Sequence, residues 1–185
     1  MPLNSLSLYA SKAADQESLA AFFQLVQPRA IVKIDAFTLR VAIDETLEAA
    51  DIEMMVAQIT EELLLRPTAF YHADQAGFDR FAIEAYLPQI ASGFYTLETL
   101  IPEIVLRQKE SLATMIRSYI HRLVAHDTLD TVLRFIEADL NQSKAAKTLY
   151  MHRNTLLYRL DQFVQQTGIE PRTFQGAFAL KLLFR

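Results

Sequence analysis

The sequence predicts a mostly helical α+β protein, with a small antiparallel sheet among helices in its N-terminal part and an all-helical C-terminal part. Three observations carry this. Only four glycines and six prolines punctuate 185 residues, so helices dominate. One stretch, Phe37–Asp44, alternates with period two, and the period changes to 3.6 from Asp51 onward. Residues 129–166 then read as three helices separated by very short breaks.

The elements follow in order. Met1–Ala10 has no basic residue ahead of its mildly apolar stretch and does not read as a signal peptide. A helix over about 15–27 carries Leu19, Phe22, Phe23 and Val26 at helical spacing, and Pro28 closes it. Ala30–Ile34 is short and β-branched, and Asp35-Ala36 can turn it into a hairpin with Phe37–Asp44, whose Phe37, Leu39, Val41 and Ile43 share one face. Ile52, Met55, Val56, Ile59 and Leu63 form a helical stripe that ends before Pro67, and Thr68–His72 suits a third strand. After Gly77 the pattern is helical through Phe81–Leu87 to Pro88, with a further break near Gly93. Pro102 suits the first turn of one long helix, where its missing N–H costs nothing. The stripe of that helix (Leu112, Met115, Ile116, Tyr119, Ile120, Leu123) runs to about Ala125 and reads as core, with part of it at a subunit interface. Asp127 or Thr128 can cap the next helix, striped by Leu129, Val132, Leu133, Ile136 and Leu140.

Composition narrows the function classes. Apolar residues make up 51% and charged residues 22%, the balance of a folded chain. With no cysteine, disulfide scaffolds, thiol catalysis, iron–sulfur clusters and zinc fingers are excluded. Apolar runs stop at about five residues, far below the roughly 20 of a spanning helix. A soluble, cytoplasmic protein without membrane association is expected. Net charge is −4, but it is unevenly spread. Residues 141–185 hold seven basic against two acidic side chains, a net +5, and the remaining 140 residues hold 11 against 20, a net −9. The charge change suggests two domains: an acidic regulatory or dimerisation domain over 1–127 and a second over 128–185.

Within the second, Asn141-Gln142-Ser143 offers capping side chains to a short helix over about 144–149, and Ala145 and Ala146 permit close helix approach. Tyr150-Met151-His152 is a turn, followed by a helix over about 153–166 that Gly168 ends. A short helix, a tight turn and a longer helix is the helix-turn-helix arrangement, whose second member enters the DNA major groove. Leu156, Leu160, Phe163 and Val164 share the inward face of that helix, with Asn154, Tyr158 and Gln165 opposite. His152 and Arg153 sit at its tip. Arg can fork onto guanine and Asn can pair with adenine. Thr155, Arg159, Ser143, Lys144 and Lys147 suit phosphate contacts, and Gln142 belongs to the same DNA-contacting set.

The stretch Asn141–Leu160, with His152-Arg153-Asn154-Thr155-Leu156 and then Tyr158-Arg159-Leu160, resembles the C-terminal helix-turn-helix of PucR/CdaR-family transcription regulators. It is also similar to the Fis-type DNA-binding domain. The match extends upstream through His126–Thr131. The resemblance implies DNA-binding roles for His152, Arg153, Asn154, Thr155, Tyr158 and Arg159. Family members carry a longer sensor region and a central domain like a degenerate diguanylate cyclase. Here about 127 residues precede the motif, and the strand-strand-helix-strand of 30–72 is a candidate shortened relative of that domain. No Gly-Gly-Asp/Glu-Glu-Phe signature accompanies it.

Other constellations have plainer readings. His121 and His126 are five apart, about 140° around a helix, and do not converge on a metal. Asp44, Glu45, Glu48, Asp51 and Glu53 read as a solvated face with helix N-terminal charge. No Ser-His-Asp or Cys-His arrangement supports catalysis. The expectation is a non-enzymatic, cofactor-free, sequence-specific DNA-binding transcriptional regulator that pairs as a homodimer on double-stranded DNA. A small-molecule effector of unknown identity is a possible further partner. The competing reading is a non-catalytic protein-interaction module on the same helix-turn-helix fold, with an enzyme on a cyclase-derived scaffold third.

Overall fold

Alternating leucines and serines make Asn4–Tyr9 a strand (β1), and it lies at the centre of the N-terminal sheet. The computed structural model describes residues 4–26, 31–44, 46–72 and 78–185. Pro28, Ala30, Glu45 and Gly77, each assigned a role above, lie outside the described residues. The chain forms two compact units, Met1–Thr96 and Leu97–Arg185.

In the first unit β1 is followed by α1 (Ala13–Val26), β2 (Ile31–Lys33), β3 (Thr38–Ile43), α2 (Ala49–Glu62), β4 (Thr68–His72), α3 (Arg80–Glu84), a 3-10 turn over Leu87–Gln89 and β5 (Gly93–Tyr95). The strand order is β2-β3-β1-β4-β5. The first four strands pair antiparallel, with Leu6 opposite Val41 and Tyr71, and two interlocked split βαβ units result. The expected antiparallel sheet is therefore present, but β5 adds to β4 in parallel and makes the whole sheet mixed.

One sheet face (Leu6, Leu8, Leu39, Val41, Ile43, Ala69) packs against Leu19 and Phe23 of α1 and Ile52, Val56 and Ile59 of α2. Phe37, placed on this face by its spacing, precedes β3 and lies outside this core, 42% exposed beside Tyr9. The β2–β3 hairpin turns at Asp35, whose Oδ1 accepts the N–H groups of Phe37 (2.7 Å) and Thr38 (2.8 Å). Gln16 of α1 is buried and donates to the Asp35 and Thr38 carbonyls, tying that helix to the turn. The acidic run starts α2: Asp51 accepts the Glu48 N–H at 2.9 Å, and Asp44 accepts from Thr46.

The opposite face carries the polar positions of the strands. Glu84 of α3 is 4% exposed, and its charge is met by a bidentate Arg40 (2.8 and 2.7 Å) and by the Ser7 hydroxyl (2.7 Å). The Arg40 guanidinium also lies over the Phe81 ring. On the same sheet His72 is buried against Phe70 and Phe78. Burial, and secondarily the Arg80 charge, lowers its pKa to about 3.

The second unit contains α4 (Leu97–Leu106), α5 (Glu110–Leu123), α6 (His126–Glu137), α7 (Gln142–Thr148), α8 (Arg153–Thr167) and α9 (Phe174–Leu183). The single long helix expected from Pro102 is instead two. Pro102 lies inside α4, and the chain reverses at Gln108 (φ +56), where Lys109 N–H reaches the Ile104 carbonyl and Gln108 N–H the Val105 carbonyl. α4 packs on α9 and α5 on α8. The compact units divide at 96/97, ahead of the 127/128 boundary expected from the sequence, because α4 and α5 pack with the C-terminal helices. Ala113, Ile116, Tyr119 and Ile120 are interior to this unit, so the central part of the α5 stripe is not a subunit surface. α6 begins at His126 behind an Ala125 cap, leaving Asp127 and Thr128 in its first turn and not at its cap. No helix among the described residues is long and apolar enough to cross a membrane.

Candidate nucleic-acid interface

Local caps set the geometry of α7 and α8. Asn141 Oδ1 accepts the Lys144 N–H at 3.0 Å and starts α7. Ala145 and Ala146 are buried where α7 packs against α8 and α6. The helix ends with Tyr150 in left-handed backbone (φ +52), while Met151 N–H bonds the Ala146 carbonyl and Tyr150 N–H the Lys147 carbonyl. His152 then caps α8, its Nδ1 accepting the Asn154 N–H at 3.2 Å, which requires an unprotonated Nδ1.

α8 is 15 residues, about 22 Å long. Leu156, Leu160, Phe163 and Thr167 face inward, and Gly168 (φ +71) ends the helix as expected. Asn154, Thr155 and Tyr158 are exposed on the other side, and Ser143, Lys144 and Lys147 are exposed on α7. Leu157 is half-buried beside them. Among the described residues, the side chains of Asn154, Thr155 and Lys147 have no hydrogen-bond or ion-pair partner within the protein.

Three charged members of the expected set are engaged. Lys144 Nζ meets Asp139 at 2.7 Å on the exposed surface, and this hydrogen bond and charge lower the Asp139 pKa. Arg153 donates from Nε (3.1 Å) and Nη2 (2.9 Å) to Gln142 Oε1. Arg159 turns onto α6, reaching the Asp127 carboxylate (2.6 Å), the Asp127 carbonyl (3.2 Å) and the Thr131 hydroxyl (2.8 Å). Arg159, expected from the sequence to contact phosphate, forms a strut between α8 and α6 in the folded chain. Asp161 is likewise paired, with Arg172 at 2.7 Å. Tyr150, read as turn from the sequence, is a candidate for the same surface, 98% exposed between Lys147 and His152. An aromatic side chain flanked by two caps is the signal that could have found it.

Because Arg159 is three-quarters shielded and loses its partners in Arg159→Ala, that variant is expected to destabilise the second unit by about 1–2 kcal/mol. Its preferred DNA sequence should be unchanged. A denaturant midpoint equal to wild type, with altered sequence preference, would assign Arg159 to DNA instead.

A short helix packed on a longer one, a capped tight turn between them and an exposed polar helix face define a helix-turn-helix domain. Residues 128–185 match the family model described as the PucR C-terminal helix-turn-helix domain, and this segment is a domain of that type. The chain is 34% identical over 110 residues to a Bacillus subtilis (strain 168) protein described as "Uncharacterized protein YxkF". That alignment covers 58% of this chain and 36% of the relative, so it spans about a third of the relative's length. A similar solved structure is the regulator of polyketide synthase expression from Bifidobacterium adolescentis, with a TM-score of 0.50 over 100% of this chain and 80% of that one. At 14% identity the likeness is one of fold.

Proposed function

We propose that the protein is a sequence-specific, non-catalytic transcriptional regulator acting in the cytoplasm, with α8 in the DNA major groove. The observation that carries this is the division of α8: its apolar face is buried, and Asn154, Thr155 and Tyr158 are exposed behind the basic tip at Arg153. Arg153 and Asn154 read base edges, while Ser143, Lys144 and Lys147, with Thr155, position the backbone. Regulation of gene expression is also the role named for the Bifidobacterium protein of similar fold. The first unit, which contains most of the acidic residues, regulates or assembles.

The test is selection from a random duplex pool followed by salt-titrated binding. Arg153→Ala and Asn154→Ala are expected to cost roughly 1–3 kcal/mol on the selected site and to relax its sequence. Lys144→Ala and Lys147→Ala should weaken all sequences alike and flatten the salt dependence. Indistinguishable specificity profiles for the two pairs would refute this division. Absence of any salt-sensitive DNA binding would favour the protein-interaction reading.

A single α8 spans only a few base pairs, so the protein is expected to act as a homodimer on half-sites roughly 34 Å apart. Sedimentation in the presence of the selected duplex should give two protomers per site. Tight, specific binding by one protomer would contradict it.

A further inference from the structure

We propose that Gln142 is a positioning residue that orients the Arg153 guanidinium toward guanine and so sets base choice at one position of the DNA site. The inference rests on the DNA-reading role proposed above.

Gln142 is the first residue of α7 and Arg153 the first of α8, eleven positions apart, brought side by side by the tight turn. Gln142 Oε1 accepts from Nε at 3.1 Å and from Nη2 at 2.9 Å. A guanidinium can only donate, so the amide must present its oxygen here and its orientation is chemically determined. The contact occupies one edge of the guanidinium. Three of the five N–H groups stay free, two on Nη1 and one on Nη2, and the Nη1/Nη2 end is the parallel pair that matches guanine O6 and N7.

The identity of the acceptor matters as much as its place. Elsewhere in 141–160 the held basic side chains meet carboxylates: Lys144 pairs with Asp139 and Arg159 with Asp127. Those contacts offset the charge they hold. The amide of Gln142 is neutral, so Arg153 is oriented with its full positive charge still available to the electronegative edge of guanine. Anchoring is firm at both ends, because Asn141 caps the helix that bears Gln142 and His152 caps the one that bears Arg153. An arginine held in one rotamer before binding has less side-chain freedom to lose on docking.

Two measurements on the full chain test this. In the free protein, NMR should show a slowly exchanging Arg153 Nε–H resonance, absent from Gln142→Met, which keeps the side-chain length and removes the acceptor. In duplex selection, wild type should require guanine at one position per recognition helix. Gln142→Met should reduce that preference roughly tenfold, with other positions, salt slope and unfolding midpoint unchanged. Arg153→Ala should lose the same position, and adding Gln142→Met to it should change nothing further. Gln142→Glu, which keeps the acceptor but adds a negative charge, should retain the guanine while weakening every sequence. Unaltered base choice in Gln142→Met, loss at a different position, or additive losses in the double variant would each overturn the proposal. A wild-type protein that shows the Arg153 resonance but selects no sequence would overturn it through failure of DNA reading. A missing resonance in a protein that does select would overturn the contact itself.

Discussion

Gly176→Ala is expected to destabilise the C-terminal unit by about 3 kcal/mol or more, without touching the exposed face of α8. A Cβ at this position would lie 2.1 Å from the Glu170 carbonyl oxygen and 2.7 Å from its carbon. Both are backbone atoms, and neither can move freely. The Glu170 carbonyl accepts from the Thr173 N–H (3.2 Å) and hydroxyl (2.9 Å), while the Glu170 N–H is held by the Glu98 carboxylate. Relief of the clash must therefore loosen the turn before α9 or the packing of α9 on α4. Helix propensity alone predicts the opposite sign, since Ala in a helix is favoured over Gly by up to about 1 kcal/mol. Denaturant unfolding separates the two: a midpoint at or above wild type would show that α9 does not need this close approach.

The N-terminal unit should lose stability as pH falls from about 6.5 toward 3, by roughly 4–5 kcal/mol from His72 alone. The sign follows from proton binding. In the unfolded chain the imidazole takes up its proton near pH 6.5, whereas burial, with a smaller push from Arg80, keeps it neutral in the fold down to about pH 3. Over that window the unfolded state binds more protons, so acid favours it; above pH 6.5 the group is neutral in both states and contributes no pH dependence. His72→Phe preserves a ring between Phe70 and Phe78 and removes the titration. The difference between wild-type and variant stability should grow as pH falls through this window. A pH-independent difference would show that the folded imidazole is protonated at an ordinary pKa.

Much of the C-terminal domain was legible because its signals are local. The apolar period of α8, the Asn141 and His152 side chains that cap helices two or three residues on, and Gly168 in left-handed backbone all act within a turn or two. The exposed set Ser143, Lys144, Lys147, Asn154, Thr155 and Tyr158 follows from that helical register alone. In the N-terminal unit the hairpin and the two helices that cover the sheet were legible for the same reason.

The tertiary structure decided what depends on partners distant in sequence. β1 escapes detection because serines occupy its alternate positions, and Ser7 is satisfied in its buried place by Glu84 of α3, 77 residues later. The break at Gln108 places a non-glycine in left-handed backbone, a cost accepted where α4 can pack on α9. Arg159 reads as a phosphate ligand from its helix alone, and the fold gives it a second partner in Asp127, 32 residues earlier. Arg153 finds Gln142 only once the turn at Tyr150 brings two helix starts together. The sequence by itself determined the helices, their caps and the exposed face of α8, because those rest on hydrogen bonds and periodicities spanning a few residues. Which basic side chains stay free on that face was decided by the fold, because a charged group goes to the nearest acceptor in space, and sequence spacing does not measure that distance.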